Sequence, residues 1–66
     1  MGIVTRLPER RAVARLTQAM LASQVGVSRQ TINSIETGRF EPSLSLALKI
    51  AKLFETSVEE LFALED

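Results

Sequence analysis

Apolar residues recur along the chain at helical spacing, in short runs separated by helix-capping residues, glycine and proline. Proline suits a first helical turn, serine and threonine cap helix starts, and glycine ends helices, so these residues delimit each run. The predicted helices cover residues 8–15, 18–25, 29–37 and 44–54, and the last three are capped by Thr17, Ser28 and Ser43. A capping box of Ser57 and Glu60 then begins a short fifth helix.

The two ends of the chain carry a weaker pattern. The segments Ile3–Arg6 and Phe62–Glu65 alternate between apolar and polar positions and can pair as a two-strand ribbon that joins the termini. Because no repeat, low-complexity stretch or linker interrupts the chain, we predict one compact all-α domain over residues 1–66.

Residues 18–37 contain the pattern that bears on function. Their apolar positions are Leu21, Ala22, Val25, Val27, Ile32 and Ile35. Gly26 lies between the two predicted helices, where the backbone must take a left-handed conformation that glycine adopts at little cost. Ala22 is small and lets the helices approach at a steep angle. This arrangement is typical of a helix-turn-helix, in which two helices at ~90–120° are joined by a tight turn.

Across residues 7–62 the chain resembles the lambda-repressor/Cro-like (XRE) family of bacterial and phage regulators. The positions that match the family, in order and without gaps, are Leu16–Gln18, Leu21–Ala22, Val25–Ser28, Gln30–Ile32, Ile35–Glu36, Gly38, Pro42–Ser43, Leu46–Ala47 and Ile50–Ala51. The resemblance implies a five-helix lambda-repressor-like DNA-binding domain, to which some members add a terminal β-ribbon. It also implies a transcriptional regulator whose helix-turn-helix motif spans about residues 18–37.

With Ile32 and Ile35 turned inward, the helix over 29–37 presents a polar stripe to solvent. Its members are Arg29, Gln30, Asn33, Ser34 and Thr37. Arginine can bind guanine O6 and N7, and glutamine or asparagine can bind adenine N6 and N7. A merely solvated helix face is also polar, but it usually mixes glutamate with lysine, whereas this stripe has no glutamate and one positive charge. The composition of the stripe favours DNA contact.

The resemblance, together with this stripe, defines the candidate site residues. The predicted base-contacting residues are Arg29, Gln30, Thr31, Asn33 and Ser34. The predicted phosphate-contacting residues are Gln18, Ser28, Thr37 and Arg39. Gln18 lies in the first turn of its helix, where the N-terminus favours an anion, although it can also be a plain first-turn residue.

The charge of the whole chain is zero, which by itself argues against a nucleic-acid partner. Its distribution is uneven, however: residues 1–40 have six arginines against two glutamates, and residues 41–66 have two lysines against six carboxylates. This predicts a basic face and an acidic back that includes Glu36 and Glu41. Three further arginines extend the basic face or are solvated or paired with Glu9: Arg10, Arg11 and Arg15.

The chain has no cysteine and no histidine, which excludes thiolate nucleophiles, imidazole bases and zinc clusters. Glu59 and Glu60 are adjacent on a short helix and form no convergent acid–base pair. We therefore expect no enzyme activity, no metal and no cofactor. With no membrane-spanning run, no signal peptide and no effector domain, we expect a cytoplasmic protein without a membrane contact or a small-molecule ligand.

Three positions depart from the family pattern. Arg15 and Glu55 stand where a helix-ending glycine is usual, so each is expected to have a positive φ. Met20 stands where a glutamate would complete a capping box, and it exposes an apolar side chain. The three phenylalanines are expected in the core: Phe40, Phe54 and Phe62.

The helix over 44–54 has more apolar positions than one buried face accommodates, so part of it is expected to meet a second subunit unless it is simply central in the bundle. The predicted interface residues are Leu53, Val58 and Leu61. The resulting hypothesis is a homodimer that places two copies of the helix over 29–37 in successive major grooves of a palindromic double-stranded operator and represses transcription. The alternatives are an antitoxin, a restriction-modification controller, or a protein-interaction module on the same fold.

Overall fold

A computed structural model describes residues 2–65 and shows the predicted order of elements between two short strands. These elements are β1 (Ile3–Thr5), α1 (Leu7–Ala14), α2 (Gln18–Val25), α3 (Arg29–Glu36), α4 (Leu44–Leu53), α5 (Val58–Leu61) and β2 (Phe62–Leu64). The five helices and the ribbon are confirmed, and the helix bounds differ from the predicted ones by one residue at most. Met1 and Asp66, the latter counted in the acidic half, lie outside the described residues.

Four helices begin at the side-chain caps that the sequence predicts. Each cap oxygen accepts a hydrogen bond from the backbone N–H three residues later, which satisfies a donor that the helix itself leaves free. The four caps are Thr17, Ser28, Ser43 and Ser57. The first helix is capped differently, because the hydroxyl of Thr5 accepts from the N–H of Leu7 at 3.1 Å and donates to the carbonyl of Leu61 at 3.0 Å.

A residue with a left-handed backbone follows each of the first four helices, at Arg15, Gly26, Gly38 and Glu55. Gly26 has φ 79°, at the turn where the sequence requires a glycine. Arg15 has φ 58° and Glu55 has φ 54°, so the positive φ expected at these two positions is confirmed. At both residues the left-handed backbone conformation costs roughly 1 kcal/mol relative to the right-handed helical one.

The core takes one fully buried side chain from each helix. These residues are Leu7, Leu21, Ile32, Ile50 and Leu61. The prediction that Leu61 lies in a subunit interface is therefore wrong, because its side chain is 0% exposed within a single chain. Phe54 and Phe62 pack against this core as expected. Phe40 does not, since it lies in the loop after α3 and is 49% exposed.

The ribbon joins the two ends of the chain beside α5. Its strands are antiparallel, with Ile3 opposite Leu64 and Thr5 opposite Phe62. The N–H of Arg6 donates to the carbonyl of Leu61 at 2.9 Å, so the pairing continues into the end of α5. A two-strand ribbon is marginal alone, and here it is stabilised by its continuity with the helical core.

Candidate nucleic-acid interface

The turn between α2 and α3 fixes the angle at which α3 meets the rest of the domain. The N–H groups of Gly26 and Val27 both donate to the carbonyl of Ala22, at 2.9 and 3.0 Å, which closes the end of α2. Ser28 then caps α3 within two residues. Because Ile32 and Ile35 are buried, the opposite face of α3 points to solvent.

The residues predicted to contact bases lie together on that outward face. Arg29 and Gln30 are exposed, and Thr31, Asn33 and Ser34 are half-buried. Among the predicted phosphate contacts, Ser28, Thr37 and Arg39 are exposed at the two ends of the helix. They border the same surface, which includes a shallow groove lined by Ser28, Gln30, Thr31, Ser34, Arg39 and Phe40.

An ion pair that the sequence analysis missed lies beneath this face. The guanidinium of Arg11 donates to both carboxylate oxygens of Glu36, from Nε to Oε2 at 2.6 Å and from Nη2 to Oε1 at 2.9 Å. Its Nη1 also donates to the carbonyl of Leu16 at 2.9 Å. The hydrogen bond to Glu36 raises the pKa of Arg11 above its ordinary value, burial opposes this, and the charge of Glu36 adds to it. The pair joins α1, the loop before α2, and the end of α3.

These positions correct two predictions about charge. Glu36 was expected on the acidic back, but its side chain is only 6% exposed, so it adds no negative charge to the outward face of α3. Arg11 was expected on the basic face or beside Glu9, and it contacts Glu36 instead. The Nη2 of Arg10 donates to the hydroxyl of Thr56, in the loop between α4 and α5, at 3.5 Å. Two exposed arginines lie in α3 or in the loop directly after it, Arg29 and Arg39.

One signal in the sequence pointed to the buried carboxylate. Glu36 follows Ile32 by four residues and Ile35 by one, so helical spacing places it on the inner side of α3. A carboxylate in that place needs a partner, but the sequence offers six arginines and does not say which one reaches it.

Gln18 connects the ion pair to the polar face. Its side-chain Nε2 donates to Oε1 of Glu36 at 2.9 Å and to Oδ1 of Asn33 at 3.2 Å. Its Oε1 accepts from Nη1 of Arg29 at 3.4 Å. Both amide hydrogens of Gln18 are thus donated within the protein, so a phosphate at the start of α2 would be held by backbone N–H groups of that first turn.

The described residues contain no cluster of acidic side chains that could hold a metal ion. Within residues 2–65, every buried side-chain nitrogen or oxygen has a hydrogen-bond partner. None of the helices described is long and apolar enough to cross a bilayer.

A sequence model of the helix-turn-helix family matches residues 9–61. The chain belongs to the XRE-type helix-turn-helix family. It is 55% identical, over 85% of each chain, to an HTH-type transcriptional regulator of Methanocaldococcus jannaschii. It is 34% identical to the cryptic phage CTXphi transcriptional repressor RstR of Vibrio cholerae, over 92% of this chain and 54% of that protein.

A solved structure shows the same fold. The restriction-modification controller protein C.AhdI of Aeromonas hydrophila superposes with a TM-score of 0.76 at 33% identity, over 83% of each chain. The helix-turn-helix protein described here is therefore a DNA-binding transcriptional regulator, and the family is not one of enzymes. Membership in this family confirms the predicted fold and the resemblance on which the site residues were assigned.

Proposed function

We propose that this helix-turn-helix protein is a homodimeric repressor that binds a palindromic operator with α3 in the major groove. The observation that carries the proposal is the composition of the outward face of α3. Arg29 and Gln30 extend from it, and the one carboxylate of the helix, Glu36, is buried in an ion pair. An exposed helix face with donors and no free carboxylate complements the acceptors of base edges and the negative charge of phosphates.

The proposed base contacts lie within α3, and the proposed phosphate contacts lie beyond its two ends. Arg29, Gln30, Thr31, Asn33 and Ser34 contact bases in this proposal. Ser28, Thr37 and Arg39 contact phosphates on either side, together with the first turn of α2 at Gln18. These phosphate contacts fix the position of the helix in the groove, whereas the base contacts provide the sequence preference.

A second copy of the chain is the partner that we propose for the exposed side of α4. Leu44 is 72% exposed and Leu48 is 53% exposed, one helical turn apart. They line one groove with Val58, and the same groove contains Lys52 and Glu59. A two-fold axis through such a surface pairs the leucines with each other and lets Lys52 of each copy meet Glu59 of the other.

This surface replaces most of the interface predicted from the sequence. Val58 stays in it, half-buried at the edge of the groove. Leu61 is excluded by its burial, and Leu53 borders a different groove with Ser23 and Gln24 of α2. We therefore propose Leu44, Leu48 and Val58 as the interface residues.

Repression follows from the size and geometry of the bound dimer. Two α3 helices spaced by one turn of DNA, ~34–36 Å, cover adjacent major grooves and exclude polymerase from an overlapping promoter. Two relatives support a regulatory role of this kind, since one is named a transcriptional repressor and the other a restriction-modification controller.

Selection from a random-sequence duplex library tests the proposal, with the binding constant of the enriched site then measured at two salt concentrations. We expect a palindromic site whose affinity falls steeply as salt rises, because phosphate contacts release counterions. Enrichment of a single half-site without symmetry would contradict the dimer. No enriched site and no binding at low salt would overturn the DNA-binding proposal and leave a protein partner as the alternative.

A further inference from the structure

The loop after α3 places an aromatic side chain at the surface proposed for DNA. Phe40 is 49% exposed and lies four residues beyond Glu36, the last residue of α3. Single apolar residues are ordinary on a protein surface, so exposure alone assigns no role to Phe40. Its surroundings are more informative than its exposure.

Backbone hydrogen bonds hold Phe40 against the end of α3. The N–H groups of Arg39 and Phe40 both donate to the carbonyl of Ser34, at 2.9 and 3.2 Å. Gly38 allows this return, because its φ of 79° turns the chain back toward the helix that has just ended. The aromatic residue is therefore attached to α3 by a short, hydrogen-bonded loop and keeps its position relative to the helix.

Phe40 forms one wall of the shallow groove on the α3 surface. The other five residues that line this groove have polar side chains that donate hydrogen bonds: Ser28, Gln30, Thr31, Ser34 and Arg39. Phe40 alone in this set is apolar. An aromatic wall beside hydrogen-bonding groups suits a ligand that presents an apolar group next to its polar ones.

The major groove of DNA presents one such group, the 5-methyl group of thymine, which apolar side chains contact. C5 of a pyrimidine lies on the side of the base nearest to the backbone of its own strand. The methyl group therefore lies between the base edges and the phosphates. Phe40 has a corresponding place, because it lines the same groove as the proposed base contact Ser34 and the proposed phosphate contact Arg39.

We propose that Phe40 is a specificity-determining residue that packs against the 5-methyl group of one thymine in each operator half-site. The inference rests on the proposed function, in which α3 enters the major groove. Cytosine has only a hydrogen at the same carbon and leaves the ring of Phe40 in contact with water. Thymine is therefore selected over cytosine at that position by apolar contact, independently of the hydrogen bonds that α3 makes.

Removal of the methyl group alone tests the proposal. Each thymine of the selected operator is replaced in turn by deoxyuridine, which pairs as thymidine does and lacks only the 5-methyl group. Fluorescence anisotropy then measures the affinity of the wild-type protein for each duplex. We expect one thymine in each half-site at which the affinity falls by about fourfold, the effect of one buried methyl-sized group.

Two variants assign this effect to a residue. In Phe40→Ala the duplexes with and without the methyl group should bind with nearly equal affinity, because the contact of the methyl group is absent. Val13→Ala is the matched control, since Val13 is an apolar residue of α1 that is 85% exposed and lies outside the groove. It should keep the fourfold difference. If Phe40 packs on a deoxyribose instead, Phe40→Ala would weaken binding to both duplexes equally, and the unchanged difference would overturn the proposal.

A photochemical measurement on the wild-type protein locates the contact directly. In 5-iodouracil an iodine atom of similar size replaces the methyl group, and ultraviolet light joins the base to a side chain that touches it. With iodouracil at the identified thymine, we expect a crosslink at Phe40, located by mass spectrometry of the digested complex. A crosslink at another residue would overturn the assignment, including the case in which circular dichroism shows that Phe40→Ala does not fold.

The outcomes separate this inference from the function on which it rests. An operator half-site without thymine, or no thymine whose methyl group affects binding, would overturn the inference while the enriched site upholds DNA binding. Failure of the wild-type protein to enrich any site would overturn both.

Discussion

Helices α3 and α4 begin in the same way and present opposite chemistry to solvent. Each starts at a serine cap, and each buries isoleucine on its inner face. The outer face of α3 carries Arg29 and Gln30, whereas the outer face of α4 carries Leu44 and Leu48. A polar face is stable in water and suits a charged, hydrated ligand, while exposed leucines favour a protein partner. The inner faces thus form the core, and we propose that the outer face of α3 binds DNA and that of α4 a second copy of the chain.

The two outer faces also differ in what holds their side chains. Asn33 and Arg29 contact Gln18, which contacts the buried ion pair of Glu36 with Arg11. The leucine side chains on the outer face of α4 have no polar atoms, so no hydrogen bond fixes their orientation. A surface that recognises a base sequence needs hydrogen-bond donors and acceptors in fixed positions. An apolar interface needs a large buried area and a shape that complements its partner.

The largest effect is expected from removing the charge beneath α3. Glu36→Gln leaves Arg11 without its carboxylate partner, and breaking a largely buried pair in this way costs about 3 kcal/mol of unfolding free energy. Urea unfolding measures this value. Glu41→Gln, at an exposed position, is the control and should change stability by less than about 0.5 kcal/mol. Equal stability of the two variants would refute the structural role of the pair.

A smaller effect is expected on the α4 side. Leu48→Asp places a charge in the proposed subunit interface and should weaken dimerisation by about 2 kcal/mol, or roughly 30-fold, without unfolding the chain. Sedimentation equilibrium measures the dissociation constant. Val13→Asp is the control, because Val13 is 85% exposed on α1, outside this groove. If both variants remain equally dimeric, the interface lies elsewhere.

On the α3 side, Arg29→Ala should reduce affinity for the selected operator by about tenfold, with little change in stability. Fluorescence anisotropy with a labelled duplex measures the loss. Arg15→Ala removes the same charge from the exposed end of α1 and should lower affinity much less. Equal losses of affinity would mean that Arg29 contributes only its positive charge and makes no specific contact with a base.

The smallest effect concerns the salt dependence of binding. Arg39→Ala should reduce the slope of log affinity against log salt by about one unit, as expected for one lost phosphate contact. Lys49→Ala on α4 should leave the slope unchanged. A change in the slope for Lys49→Ala, and none for Arg39→Ala, would mean that the DNA contacts α4 and not the end of α3.

Most of the fold was predictable because local chemistry specifies it. Side-chain caps, left-handed helix ends and apolar spacing each act within a few residues, so Thr17, Ser28 and Gly26 were recognisable one by one. The positive φ of Arg15 and Glu55 was predicted in another way, because the resemblance to the family places a helix-ending glycine at both positions.

Contacts between distant residues were harder to predict. Glu36 meets Arg11 across 25 positions, and nothing in the sequence selects Arg11 among six arginines. Leu61 was assigned to a subunit interface because the excess of apolar positions in α4 and α5 fits either a core or an interface. Its place in a core shared by all five helices depends on contacts between distant residues. Phe40 was expected in the core for its residue type, but the loop after α3 leaves it exposed.

The most direct test of the account is the map of amide chemical-shift changes when the selected duplex is added to the labelled protein. The account predicts changes concentrated from Ser28 to Arg39 and in the first turn of α2, with the outer face of α4 at Leu44 and Leu48 unchanged once the protein is dimeric. Changes concentrated on the outer face of α4, with none along α3, would contradict the assignment of DNA to one helix and protein to the other.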